Sequence, residues 1–152
     1  MYMKSLFIFL LGLSLSIPGF SQVKLATPIT KEQQLNEEYC SGLFSTSEAT
    51  YIDMLNDASA KSAPGYLNVL DWLNGRVAGL AVYRTRTNEF IPYIRNGRAG
   101  IFVDEIQVSP SYLGSLAITD IAMIKIIKGP FAGGFNSPGG AIAIYTVKGD
   151  EE

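Results

Sequence analysis

The chain contains no histidine and a single cysteine, Cys40. Without imidazole there is no Ser-His-Asp or Cys-His relay, and the usual zinc ligand sets are gone as well. One thiol closes no internal disulfide. Cys40 reads as a buried, inert thiol, with pairing to a second chain as its other use. Charge is scarce: 17% of residues are Asp, Glu, Lys or Arg, the formal net charge is −2, and the basic residues are scattered along the chain. That argues against nucleic acid or an anionic membrane surface as the main partner. Apolar residues make up 47% of the sequence, which predicts a packed core over disorder.

Long apolar runs are missing, with one exception. Leu6 to Ile17 follows Lys4 and precedes Gly19-Phe20-Ser21, the basic, apolar and small-x-small parts of a secretory signal peptide. A run of about a dozen residues falls short of the roughly 20 that a membrane span needs. Residues 1–21 are therefore expected to be cleaved before Gln22, leaving an exported chain with no membrane span of its own. No cysteine follows closely enough to suggest a lipid anchor. The remainder is one domain's worth of sequence.

Residues 22–65 form an N-terminal segment and linker with few firm signals. Thr30-Lys31-Glu32-Gln33 has the form of a capping box and predicts a helix to about Tyr39. Ser47 to Leu55 reads as a second short helix, with Tyr51, Met54 and Leu55 on one face. Ala58 to Gly65 is rich in small residues and reads as a linker.

From residue 66 to 149 the pattern sharpens into a domain. Leu67, Leu70, Leu73 and Val77 have the spacing of an amphipathic helix, with Trp72 beside the stripe, and Gly75 and Gly79 punctuate its end. Leu80 to Tyr83 reads as a short buried strand, and Phe90 to Ile94 as a second whose Pro92 indicates an edge or bulge. Asn96-Gly97 is a turn dipeptide before a strand from Gly100 to Asp104, with Ile106 to Val108 continuing after a turn. Ser109-Pro110 opens a one- to two-turn helix. The stretches after Asp120 and from Ala141 to Val147 are apolar on both faces, broken only by Lys125 and Lys128, as strands buried on both sides are. The expected fold class is α/β in the α+β sense: a small mixed sheet with flanking short helices.

Few residues carry chemistry. Asp104 and Glu105, as neighbours along a strand, would point to opposite faces and not form a carboxylate pair; they read as solvated acids at a strand-end turn. The glycine-rich stretch 129–140 invites a phosphate-loop reading but ends Gly-Gly-Ala where Gly-Lys-Ser/Thr is required, and a strand follows it, not a helix. Its glycines serve conformation, permitting positive φ and close backbone approach. Neither a catalytic group nor a cofactor or metal site is expected.

Three stretches resemble the plug domain of TonB-dependent outer-membrane receptors. Leu70-Asp71-Trp72-Leu73-Asn74-Gly75-Arg76-Val77-Ala78-Gly79-Leu80 is similar to the family's L-x-G-R-V-A-G-V opening. Ile94-Arg95-Asn96-Gly97 with Ile101-Phe102-Val103-Asp104 resembles its I-R-G and V-D-G pair. The strand from Asp120 to Lys128-Gly129-Pro130, followed by Gly139-Gly140 and the last strand, resembles its closing hairpin. The resemblance implies a non-catalytic domain, periplasmic or associated with the outer membrane, that docks to an outer-membrane β-barrel and is linked to TonB-dependent nutrient uptake. With only four residues after Lys148, the barrel is expected in trans. Gly75, Arg76, Val77, Gly79, Arg95, Asp104, Asp120, Lys128, Gly129, Pro130, Gly139 and Gly140 are the family-motif and interaction positions it implies. Arg95 and Lys128 would face acidic groups on the barrel wall, or else be ordinary solvated charges. The chain departs from the pattern at Glu105, where the family has Gly, at Lys125, where an acid is frequent, and in lacking a TonB box. Two alternatives stand beside this reading: a periplasmic module binding a small glycan or peptide, with Trp72, Tyr83, Tyr93 and Phe131 as stacking residues, and a barrel-less receptor remnant.

Overall fold

The computed structural model describes residues 28–45, 49–129 and 137–149. The expected signal peptide, Pro130 and Phe131 lie outside them. Among the described residues two α-helices, α1 (Lys31–Tyr39) and α2 (Val69–Leu73), accompany strands β1 (Thr50–Asp53), β2 (Leu80–Arg84), β3 (Phe90–Ile94), β4 (Gly97–Val103), β5 (Ile106–Val108), β6 (Ile121–Lys128) and β7 (Gly140–Thr146). Short 3₁₀ segments cover Ala58–Gly65, Pro110–Gly114 and Ile118–Asp120. The seven strands form one mixed sheet in the order β1-β6-β7-β4-β3-β2, with β5 on β4. β4 and β7 are parallel and every other pair is antiparallel. This is the α+β architecture expected.

The two strands that read as apolar on both faces, β6 and β7, are central and buried. Ile124, Ile126, Ile142 and Ile144 point to one face, where Leu70, Trp72, Leu73 and Leu113 cover them. Met123, Ile127, Ala141, Ala143 and Tyr145 point to the other, under Leu35, Cys40 and Phe44 from the N-terminal segment. Each fully buried Leu, Ile or Phe in these layers contributes on the order of 1.5–3 kcal/mol.

The capping box forms as the sequence predicts: Thr30 Oγ1 accepts from Gln33 N–H, and Gln33 Oε1 accepts from Thr30 N–H at 2.9 Å. Other expectations need correction. Thr50 to Asp53, read as helical, is an edge strand on β6. Thr50, Tyr51 and Ile52 are β-branched or aromatic, and a ladder to a strong central strand outweighs a weak helical periodicity. Ala58–Gly65 is ordered, with Ala60 and Ala63 buried in the main core.

The helix predicted from Leu67 starts later and is shorter. Asn68 caps it, its Oδ1 accepting from Leu70 N–H at 2.9 Å, so Leu67 lies before the helix and is 96% exposed. It stops at Leu73 because Gly75 adopts φ +77°. β2 is buried only at its start, and Tyr83 is exposed. Pro92 stands opposite Val82 in β3, while β4 pairs only with Tyr93 and Ile94. The Arg95–Gly79 hydrogen bond fixes the register so that Pro92 N points away from β2, toward the side where the ladder with β4 has already ended.

Candidate functional site

The motif residues gather at two opposite ends of the sheet. At the first end, Arg95 (φ 48°) and Asn96 (φ 68°) are the central pair of a two-residue turn joining β3 to β4. Positive φ at both is the type I′ geometry that matches strand twist, and Asn96 is a residue that tolerates the left-handed region. Arg95 N–H donates to Gly79 O at 3.0 Å, which brings the Gly75–Gly79 stretch beside the turn. Arg76 is engaged by its own fold: its guanidinium lies 5.0 Å from the Trp72 ring centre and 5.3 Å from that of Tyr66, and it donates to Trp72 O. Val77 is buried.

Lys128 and Gly129 end β6 at this same end, and Gly139 and Gly140 open β7 opposite them. Here glycine is obligatory. A Cβ on Gly139 would collide with the carbonyl of Gly97, and one on Gly140, which has φ +116°, with the carbonyl of Ile127. The glycine-rich stretch thus lets three backbones meet at one point, as its composition suggests.

Asp104 and Asp120 sit at the far end of the sheet, across the length of β7. Asp104 (φ 47°) and Glu105 (φ 68°) form a second two-residue turn, between β4 and β5, rather than a strand continuation. Neither is the free, solvated acid expected. Asp104 accepts from Thr146 N–H at 2.9 Å and from its hydroxyl at 2.8 Å, tying the turn to the end of β7. Glu105 accepts from Gly42 N–H at 3.1 Å, Leu43 N–H at 2.9 Å and the Tyr145 hydroxyl at 3.3 Å. Asp120 is exposed, and its carbonyl accepts from Val147 N–H.

The residue that sequence reasoning missed is Lys125, in the middle of β6 and 0% exposed. Its ammonium donates to Asn36 Oδ1 at 2.6 Å and to Phe44 O, and lies 5.0 Å from the centre of the Tyr51 ring. Among the described residues all ion pairs belong to Lys31, with Asp53 and Asp57, so Lys125 is buried without a carboxylate in contact. Burial holds its pKa below the usual lysine value, against the pull of Cys40 and Glu105. Burial likewise pushes Cys40 up, keeping it a thiol, and pushes Tyr145 far above the tyrosine range. The signal was present in the sequence: one lysine in a strand otherwise apolar on both faces. These groups are sealed from substrate, so the cluster holds the N-terminal segment in place and has no access for chemistry.

Of the candidate stacking residues, Trp72 is buried, its indole N–H donating to Ser62 Oγ at 3.1 Å, and presents no face to a ligand. Tyr83 and Tyr93 do come together, edge to face with ring centres 5.4 Å apart. With Gly79, Leu80, Ala81, Arg95 and Asn96 they line an open cavity of about 490 Å³. Among the described residues no helix is long and apolar enough to cross a membrane, and no cluster of three or more His, Cys, Asp or Glu stands ready for a metal.

The fold is plug-like, and parts of solved uptake proteins have a similar fold. The chain is similar to part of the RagAB peptide importer in its closed-closed state, with a TM-score of 0.51 and 22% identity over 70% of this chain. It is also similar to part of the ferric yersiniabactin uptake receptor FyuA from Yersinia pestis, with a TM-score of 0.52 and 16% identity over 74% of this chain. It spans only 13% and 19% of those two chains. The resemblance to the plug domain of TonB-dependent receptors that three sequence motifs carried is therefore present in three dimensions. No family model and no curated protein matches the sequence.

Proposed function

We propose that this chain is an exported, non-catalytic plug-like domain that acts by docking to an outer-membrane β-barrel and takes part in TonB-dependent nutrient uptake. The observation that carries the reading is the match of this sheet to the small portion of two outer-membrane uptake proteins that it spans. The charge distribution supports it: Arg95 stands in an exposed turn with Arg98 just after it, and Lys128 lies at the same end, where acidic groups on a barrel wall would meet them. Rigidity supports it as well, because the described part of that end holds a two-residue turn, Arg95-Asn96, and close glycine contacts that leave the backbone little freedom.

Crosslinking in the native host before lysis, followed by fractionation, tests this. An adduct containing an outer-membrane β-barrel protein, in the outer-membrane fraction, is the expected result. A freely soluble periplasmic protein without such an adduct would overturn the docking role.

A further inference from the structure

We propose that the open end of the sheet face formed by Tyr83, Tyr93, Arg95 and Asn96 binds an acidic, uronate-bearing oligosaccharide. The inference goes beyond barrel docking, does not depend on it, and concerns the undocked chain, in which Arg95 and Arg98 are not held against a barrel wall.

Alternation along the strands sets up the site. Ala81, Tyr83, Ile91 and Tyr93 share one face of the β2–β3 ribbon, and Arg98, the cross-strand partner of Tyr93, shares it too. Further along the sheet this same face is covered by Leu35, Cys40 and Phe44, the cover pinned by Lys125. Over the ribbon that cover is absent among the described residues, and Tyr83 is 62% exposed. The cavity beneath the two tyrosines, about 490 Å³, is of the size of small-ligand sites.

Charge selects the ligand. Between Arg84 and Arg98 stand four arginines and one acid, Glu89, in a chain that otherwise carries more acids than bases. Arg84 lies over the Phe90 ring, whereas Arg95 and Arg98 have no carboxylate partner within ion-pair distance among the described residues. A guanidinium is a planar fork that fits a carboxylate bidentately, and Asn96 beside it adds an amide donor and acceptor for hydroxyls. Exposed tyrosine rings supply the flat apolar surface on which a pyranose ring lies.

Backbone geometry disfavours a peptide added as a strand. Two outward N–H groups in the first half of β2 are already taken: Leu80 N–H donates to Val77 O at 3.1 Å and Val82 N–H to Asn74 Oδ1 at 3.2 Å. Recognition is left to side chains on the face, which suits a sugar chain better than β-augmentation.

The test is calorimetric titration of the purified chain with a galacturonate tetramer, with no barrel present, so that its outcome is separate from that of the docking experiment. Saturable binding is expected, weakened at least tenfold by Tyr83→Ala and by Arg95→Gln, while Arg86→Gln leaves it unchanged. A neutral glucose tetramer should bind at least tenfold more weakly. Circular dichroism of each variant checks that the fold is kept. Absence of binding, equal affinity for the neutral tetramer, an equal effect of Arg86→Gln, or tighter binding of an acidic peptide of the same charge would each overturn the assignment.

Discussion

Lys125 Nζ lies 2.6 Å from Asn36 Oδ1, joining the centre of β6 to helix α1 across 89 residues of sequence. The contact is made by a cation with no carboxylate within ion-pair distance among the described residues, so it positions the N-terminal segment while opposing its docking through desolvation. The two effects separate with pH. In the folded chain the pKa of Lys125 is held below its ordinary value of 10.5 by burial, so between the two values the unfolded chain carries the extra proton. Stability contributed by this group therefore rises as pH rises through that window. Cys40, Tyr51 and Tyr145 pack against the ammonium or near it with raised pKa values and work in the opposite direction, while Glu105 is the acidic group that acts on it. Urea melts of the wild type and Lys125→Met, compared at each pH from 7 to 11, isolate the lysine. The expected result is a wild-type stability that gains on the variant with rising pH; a constant difference would show that the lysine does not titrate in the fold.

Glu105 pins the same segment from the other side by accepting from Gly42 and Leu43 N–H. Glu105→Ala leaves both donors without their acceptor at a partly exposed site, at a cost of about 1 kcal/mol. Hydrogen exchange should accelerate at residues 42 and 43 and remain unchanged in β6 and β7.

Glycine substitutions should divide sharply by location. Gly140→Ala meets the Ile127 carbonyl and a positive φ together, and is expected to lower the melting temperature severely or prevent folding. Gly75→Ala has the positive φ but open space around it, so only the backbone term of about 1–2 kcal/mol applies. Thermal melts of the two variants give the comparison.

Arg76→Ala removes the stacking on Trp72 and Tyr66 and the bond to Trp72 O. The expected loss is about 1–2 kcal/mol, by urea denaturation, at half-exposed cation–π contacts worth roughly 0.5–1 kcal/mol each. Arg76→Lys should recover less than half of it, because a lysine lacks the planar group that stacks.

The sheet centre was legible because β6 and β7 are apolar on both faces, a pattern that surface strands do not show. Helix α1 was legible for a local reason, since a capping box is closed within four residues. What escaped the sequence depends on distant partners. Thr50–Asp53 is too short to declare itself and becomes a strand only beside β6. Glu105 looks like a surface acid until the turn at residue 42 is brought to it, and Lys125 like an interruption until Asn36 and Phe44 surround it. The motif positions were readable as a set, but not their division between opposite ends of the sheet, which follows from the strand order alone.

That strand order has a consequence for biogenesis. Among the described strands β7 alone touches both β6 and β4, and so joins the pair β1–β6 to the group formed by β2, β3, β4 and β5. A nascent chain that has emerged only through Lys128 holds two unjoined half-sheets whose inner edge strands, β6 and β4, have no mate. Such a chain gains cooperativity in one late step, when Gly140 to Thr146 slides between the halves, and until then it is a natural client for a holding chaperone.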